Sequence, residues 1–91
     1  MTTVPLGRLL ATPGALAAFE RNPTVGVWDY MRRHLTGDWG DVDREDWAAN
    51  DRAVQDGTRL LSAYALPDST KVWIITGADR AATTILLPAE Y

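Results

Sequence analysis

The single histidine, His34, is the one side chain whose ordinary titration lies near neutrality, so any general base in this chain has to be it. With Ser62 or Ser69 and an aspartate it would make a nucleophilic triad, yet no G-x-S-x-G turn presents either serine. Its place beside Arg32 and Arg33, in what reads as the last turn of a helix, gives it a plainer role as a cation that complements the helix dipole. Asp41, Asp43 and Glu45 have the alternate spacing with which a calcium loop begins. Such a loop then needs Gly at its sixth position and Glu at its twelfth, where this chain has Asp46 and Arg52. Acids gathered at a helix N-terminus for dipole reasons account for the run more simply. The chain has no cysteine, which removes thiolate nucleophiles and cysteine-held metals, and one histidine is too few for a multi-histidine centre. Gly7 and Gly14 fit neither the dinucleotide fingerprint nor the P-loop. The sequence therefore names no catalytic residue, no metal and no cofactor.

Binding is better represented. Between Asp38 and Asp46 stand five acids opposed by Arg44 alone. Two tryptophans, Trp39 and Trp47, lie beside them, and aromatic anchors of this kind dominate protein interfaces. Trp39, flanked by Gly and Asp, is either an exposed anchor or a lid folded back on the helices. Asp79-Arg80 forms a charged pair in a turn and a further recognition point. The candidate partner-binding set is Asp38, Trp39, Asp41, Asp43, Trp47, Asp79 and Arg80. The net charge of −3 comes without a basic patch, which disfavours direct nucleic-acid binding and favours a protein partner. The same small charge argues against whole-molecule DNA mimicry.

These residues need elements to hold them. Val4 to Leu10 reads as a short extended segment that Pro5 and Gly7 weaken. Thr12-Pro13 starts a helix through Ala15, Leu16 and Phe19, which Asn22-Pro23 stops. A second helix is expected from Pro23-Thr24 to Leu35, with Val25, Trp28, Met31 and Leu35 as its core stripe. Gly37 to Asp41 is a loop. Asp43 caps a third helix, which ends at Gly57. From Arg59 the pattern turns to alternation, with Leu60, Ser62, Tyr64 and Leu66 on one face. Pro67 to Thr70 is a turn, Val72 to Thr76 a strand, and Thr83 to Leu87 another, closed by Pro88. The expected fold class is α+β: three N-terminal helices packed on a C-terminal three-stranded antiparallel β-meander, with an extra N-terminal edge strand left open.

The length of 91 residues fits one domain, residues 1–91, and 46% hydrophobic residues suffice for a core. A chain this short is modestly stable, and homodimerisation is one way to supplement it. Thr12-Pro13-Gly14 interrupts the apolar N-terminal stretch before it reaches the length of a signal sequence, and no stretch approaches a membrane span. A cytoplasmic location without membrane association is the expectation.

The blocks 34–41 (His-Leu-Thr-Gly-Asp-Trp-Gly-Asp), 59–64 (Arg-Leu-Leu-Ser-Ala-Tyr), 72–76 (Val-Trp-Ile-Ile-Thr), 78–80 (Ala-Asp-Arg) and 83–88 (Thr-Thr-Ile-Leu-Leu-Pro), with the ending Glu90-Tyr91, resemble a family of short bacterial proteins. These are labelled plasmid-related or associated with type I restriction loci. Leu6-Gly7 and the stretch from Ala11 to Leu16 are similar too, so the likeness covers nearly the whole chain. This sequence departs from the family pattern at Gly77, where the family has Glu, and at Trp47, where it has a charged residue. The resemblance implies a home on mobile elements. It suggests a small non-enzymatic binding or regulatory protein that acts on a defence or nucleic-acid-processing complex, as an anti-restriction or anti-CRISPR inhibitor would. A RelE-like endoribonuclease toxin, using His34, Arg59, Lys71 and Arg80, and a small-ligand sensor are the alternatives.

Overall fold

A computed structural model describes residues 4–91. The elements run β1 (Arg8–Ala11), α1 (Pro13–Glu20), α2 (Val27–Leu35), α3 (Arg44–Asp56), β2 (Leu60–Ala65), β3 (Lys71–Thr76) and β4 (Ala82–Leu86), then a 3-10 turn at Pro88–Glu90. The strands form one sheet in the order β1-β4-β3-β2. β2, β3 and β4 pair antiparallel, whereas β1 lies parallel to β4 with Leu9 beside Thr83 and Ala11 beside Ile85.

This corrects the expected three-stranded meander carried behind three N-terminal helices. The sheet is four-stranded and mixed, and the helices fall between β1 and β2 in the chain. The reason lies at the N-terminus. Pro5 and Gly7 precede the strand, and Gly7 turns the chain with a φ of 64°. Residues after it are then free to pair, and the Arg8 N–H donates to the Ala81 carbonyl. Val4, which was expected in the strand, is instead buried and donates its N–H to the Leu35 carbonyl.

Local signals explain the helix ends. The Thr12 hydroxyl accepts from the Ala15 N–H, and Pro13 opens α1. Asp43 accepts from the Asp46 N–H at the start of α3, and Gly57 ends it in the left-handed conformation. α2 starts at Val27, later than Pro23-Thr24, because the Gly26 N–H is met there by the Asp29 carboxylate at 2.8 Å. Its buried face is Tyr30, Met31 and His34. Trp28 is consequently not in the core stripe and stands half exposed, at 50%.

Inward-facing residues of the sheet meet the helices in two clusters. The larger joins Ala15, Ala18, Phe19, Tyr30 and Met31 to Tyr64, Val72, Ile74 and Ile85. The smaller joins Val4, Trp39, Ala53 and Leu60, with Trp47 packed against it. Among the described residues no helix is long and apolar enough to cross a membrane.

Candidate functional site

His34 leaves the surface entirely: it is 0% exposed. Its Nδ1 lies 2.5 Å from the Ser62 hydroxyl and its Nε2 lies 2.8 Å from the Thr76 hydroxyl. Thr76 is 2.7 Å from Thr83, whose hydroxyl donates to the Leu6 carbonyl at 2.7 Å. That carbonyl can only accept, so it fixes the direction of the whole chain of bonds. Thr83 donates to Leu6, Thr76 to Thr83, His34 Nε2–H to Thr76, and Ser62 to His34 Nδ1. The ring is neutral and in one tautomer. Burial, and secondarily the nearby Arg80 charge, lower the His34 pKa to about 4. This overturns the helix-end cation. Ser62 and His34 do meet, as a dyad would, but both are fully buried, and the Trp39 ring packs edge-on to the imidazole at 5.6 Å. The pair cannot reach a substrate in this fold.

The loop after α2 is pinned for the same purpose. Asp38 receives two bonds from the Arg33 guanidinium, at 2.7 and 3.3 Å, and one from the Gly40 N–H. The Arg33 bond holds the Asp38 carboxyl below its ordinary range. The Tyr64 hydroxyl donates to the Asp38 carbonyl at 2.6 Å, and Arg33 stacks over the Tyr64 ring. Trp39 is 0% exposed and donates its indole N–H to Asp51. It is thus the lid and not the exposed anchor, because the smaller core needs its ring. Gly40, with φ 75°, lies so close to β2 that a Cβ there would stand 2.0 Å from the Ala63 carbonyl.

Asp79 and Arg80 are also turned to structural use. The Asp79 carboxylate accepts from the Ala81 N–H. The Arg80 guanidinium donates to the carbonyls of Ala53, Thr58 and Gly77 at 2.9, 2.6 and 3.0 Å, which closes the C-terminus of α3. Arg59 donates to the Tyr91 hydroxyl. With His34 sealed and Arg80 committed to carbonyls, the three do not line an open cationic cleft.

The structure keeps a different part of the acidic run at the surface. Asp41, Asp43, Glu45 and Asp46 are exposed around the start of α3, with Trp47 half buried beside them. None of the four takes part in an ion pair among the described residues, where the three ion pairs are Arg21–Asp68, Arg32–Asp29 and Arg33–Asp38. No three acidic or histidine side chains converge as a metal centre among the described residues.

No family model, curated protein or solved structure matches this chain.

The network on His34 carried a sequence signal that periodicity alone did not expose. Ser62 sits in phase with Leu60 and Tyr64, Thr76 with Val72 and Ile74, and Thr83 with Ile85. Three hydroxyls at inward positions of adjacent strands need a buried partner, and a lone histidine on a helix supplies it.

Proposed function

We infer that this protein is a small non-enzymatic binding protein that engages a protein partner through the acidic end of α3. The observation that carries this reading is the exposed group Asp41, Asp43, Glu45 and Asp46 beside Trp47, none of which forms an ion pair among the described residues. Carboxylates left unneutralised at one end steer a basic surface toward it, and Trp47 supplies an aromatic contact at its rim. The groups that would serve a catalyst are sealed or committed: His34 and Ser62 in the core, Arg80 on three carbonyls. That weighs against the RelE-like alternative, which needs them accessible. The resemblance to plasmid-related and restriction-locus proteins supports a defence or nucleic-acid-processing complex as the partner, and cytoplasmic action with it.

Asp43 caps α3, so the test leaves it in place. Affinity capture from host lysate, with nuclease added, should return one protein complex at near-stoichiometric yield, and salt should weaken the capture. The triple variant Asp41→Asn, Glu45→Gln, Asp46→Asn should fold and lose that complex. If the folded triple variant captures the same complex equally well, the acidic end is not the interface.

A further inference from the structure

The two edges of the sheet differ in one respect. At the β2 edge the residues whose main chain points outward are Leu61, Ala63 and, at the end of the strand, Ala65. All four groups of Leu61 and Ala63 are met, whereas Ala65 has no main-chain partner outside the sheet among the described residues. The Asn50 side-chain amide accepts from the Leu61 N–H at 3.1 Å and donates to the Leu61 carbonyl at 2.7 Å. The Ala63 N–H donates to the Trp39 carbonyl, and the Ala63 carbonyl accepts from the Asp41 N–H.

At the β1 edge nothing does this. Arg8 and Thr12 donate toward β4, so by alternation the N–H and C=O groups of Leu9 and Ala11 point away from it. Among the described residues they have no main-chain partner outside the β1–β4 ladder. All four residues of β1 are exposed, Leu9 at 51% and Leu10 at 42%. Alongside runs a groove of about 270 Å³ lined by the strand with Val27, Trp28 and Met31. Edge strands are ordinarily guarded by charge, proline or a bulge. Here Leu9, Leu10 and Ala11 carry no guard, and Arg8 is the one charge on the strand.

We propose that this edge is covered by β1 of a second copy of the same chain, antiparallel and in one register. The register follows from the ends of the strand. Gly7, with its positive φ, is not extended, and Pro13 has no N–H to give. Pairing Leu9 with the partner's Leu9, or Ala11 with the partner's Ala11, therefore uses one outward residue from each copy. Pairing Leu9 with the partner's Ala11 uses both, twice over, and satisfies every outward group of both strands. The two-fold axis then passes beside Leu10, which faces the partner's Leu10. Arg8 stands opposite the partner's Thr12, so no like charges meet. The half-exposed side chains of Leu9 and Trp28 are covered from the helix side, and one sheet runs through both copies. A self-complementary patch of this kind closes as a two-fold dimer and stops.

Leu10 and the partner's Leu10 form a non-hydrogen-bonded pair with Cα atoms about 4.5 Å apart, which lies within the span of a disulfide. The chain has no cysteine, so Leu10→Cys introduces the single thiol. Sedimentation of the unmodified protein should show a monomer–dimer equilibrium. Leu10→Cys should become a covalent dimer on mild oxidation, while Leu16→Cys, half exposed on α1, should not. Leu9→Lys, which restores the missing guard, should be monomeric with an unchanged circular dichroism spectrum. An unmodified protein that stays monomeric to its solubility limit overturns the proposal, even where Leu10→Cys cross-links by collision. So does a dimer that survives Leu9→Lys or that leaves Leu10→Cys uncrosslinked, since its interface lies elsewhere.

Discussion

Protonation of His34 places a second N–H against Ser62, the residue that donates to it, and puts a charge where water cannot reach. The native ring therefore resists protons that the unfolded chain accepts. Above the ordinary histidine pKa of about 6.5 both states are neutral and the full stability is present. As pH falls from there to about 4, the unfolded state alone takes up the proton, and stability declines by about 1.4 kcal/mol per pH unit. The total is about 3 kcal/mol, after which His34 contributes no further slope. Asp38, whose carboxyl is held low by Arg33, adds its own loss at lower pH as it is protonated. Denaturant titrations across this range should show the decline in the native protein. In His34→Gln, which removes the imidazole, the slope should be nearly flat from pH 6.5 to about 5.5 and below that show only the loss from carboxylates held low, Glu90, Asp38 and Asp68, so it is shallower than in the native protein throughout, whatever that variant's absolute stability. Equal slopes would mean that the ring is not buried neutral. The sequence placed His34 correctly at a helix end. Its solvation depended on Ser62, Thr76 and Thr83, which arrive from three other elements, and that is why the cation reading failed.

Elements were legible where their signals are local. Thr12-Pro13, Asp43 and Gly57 mark helix ends through bonds to residues a few positions away, and each does so in the structure. Asp43→Ala should therefore lower stability by about 1 kcal/mol, read from chemical denaturation, without touching the sheet. The α2 start was misplaced because Val25 and Trp28 share a helical spacing with Met31, but the chain before Gly26 is not helical. What holds the elements to each other was not legible. Gly40 brings the loop onto β2, and no local pattern announces a contact with Ala63. Gly40→Ala adds backbone strain of about 1–3 kcal/mol and a Cβ that the Ala63 carbonyl excludes, so a large fall in melting temperature is expected. Little change on melting would show that the loop does not close the β2 edge. Arg80→Ala leaves the Thr58 carbonyl without its donor and takes the second donor from Ala53 and Gly77, which keep the main-chain N–H groups of residues 57 and 80, and it should fray the end of α3. Amide exchange in the last turn of α3 is the direct readout.

For the whole molecule the decisive property is that one edge of the sheet is closed at Leu61 and Ala63, over most of its length, and the other is open throughout. The mixed topology creates this asymmetry. A meander alone would have ended at β4, but β1 adds itself in parallel and becomes the new edge with Leu9 and Ala11 outward. A parallel pairing between the first and last strands is a contact between distant parts of the chain, and the periodicity of neither segment reveals it. Two open edges on one sheet would allow each copy to add another without limit, and such contacts make fibres, not closed dimers. Asn50 guards against this, since its side-chain amide occupies Leu61 where a foreign strand would pair. Asn50→Ala leaves an N–H and a C=O unmet and should cost about 1–3 kcal/mol. It should also reopen the second edge, so that light scattering detects species larger than a dimer as concentration rises. Adding Leu9→Lys blocks growth through β1 and should reduce those species to the pairs that the β2 edge alone can form. If Asn50→Ala loses stability but never grows past the size of the unmodified protein, the loop from Trp39 to Asp41 is enough to keep that edge shut, and Asn50 serves stability alone.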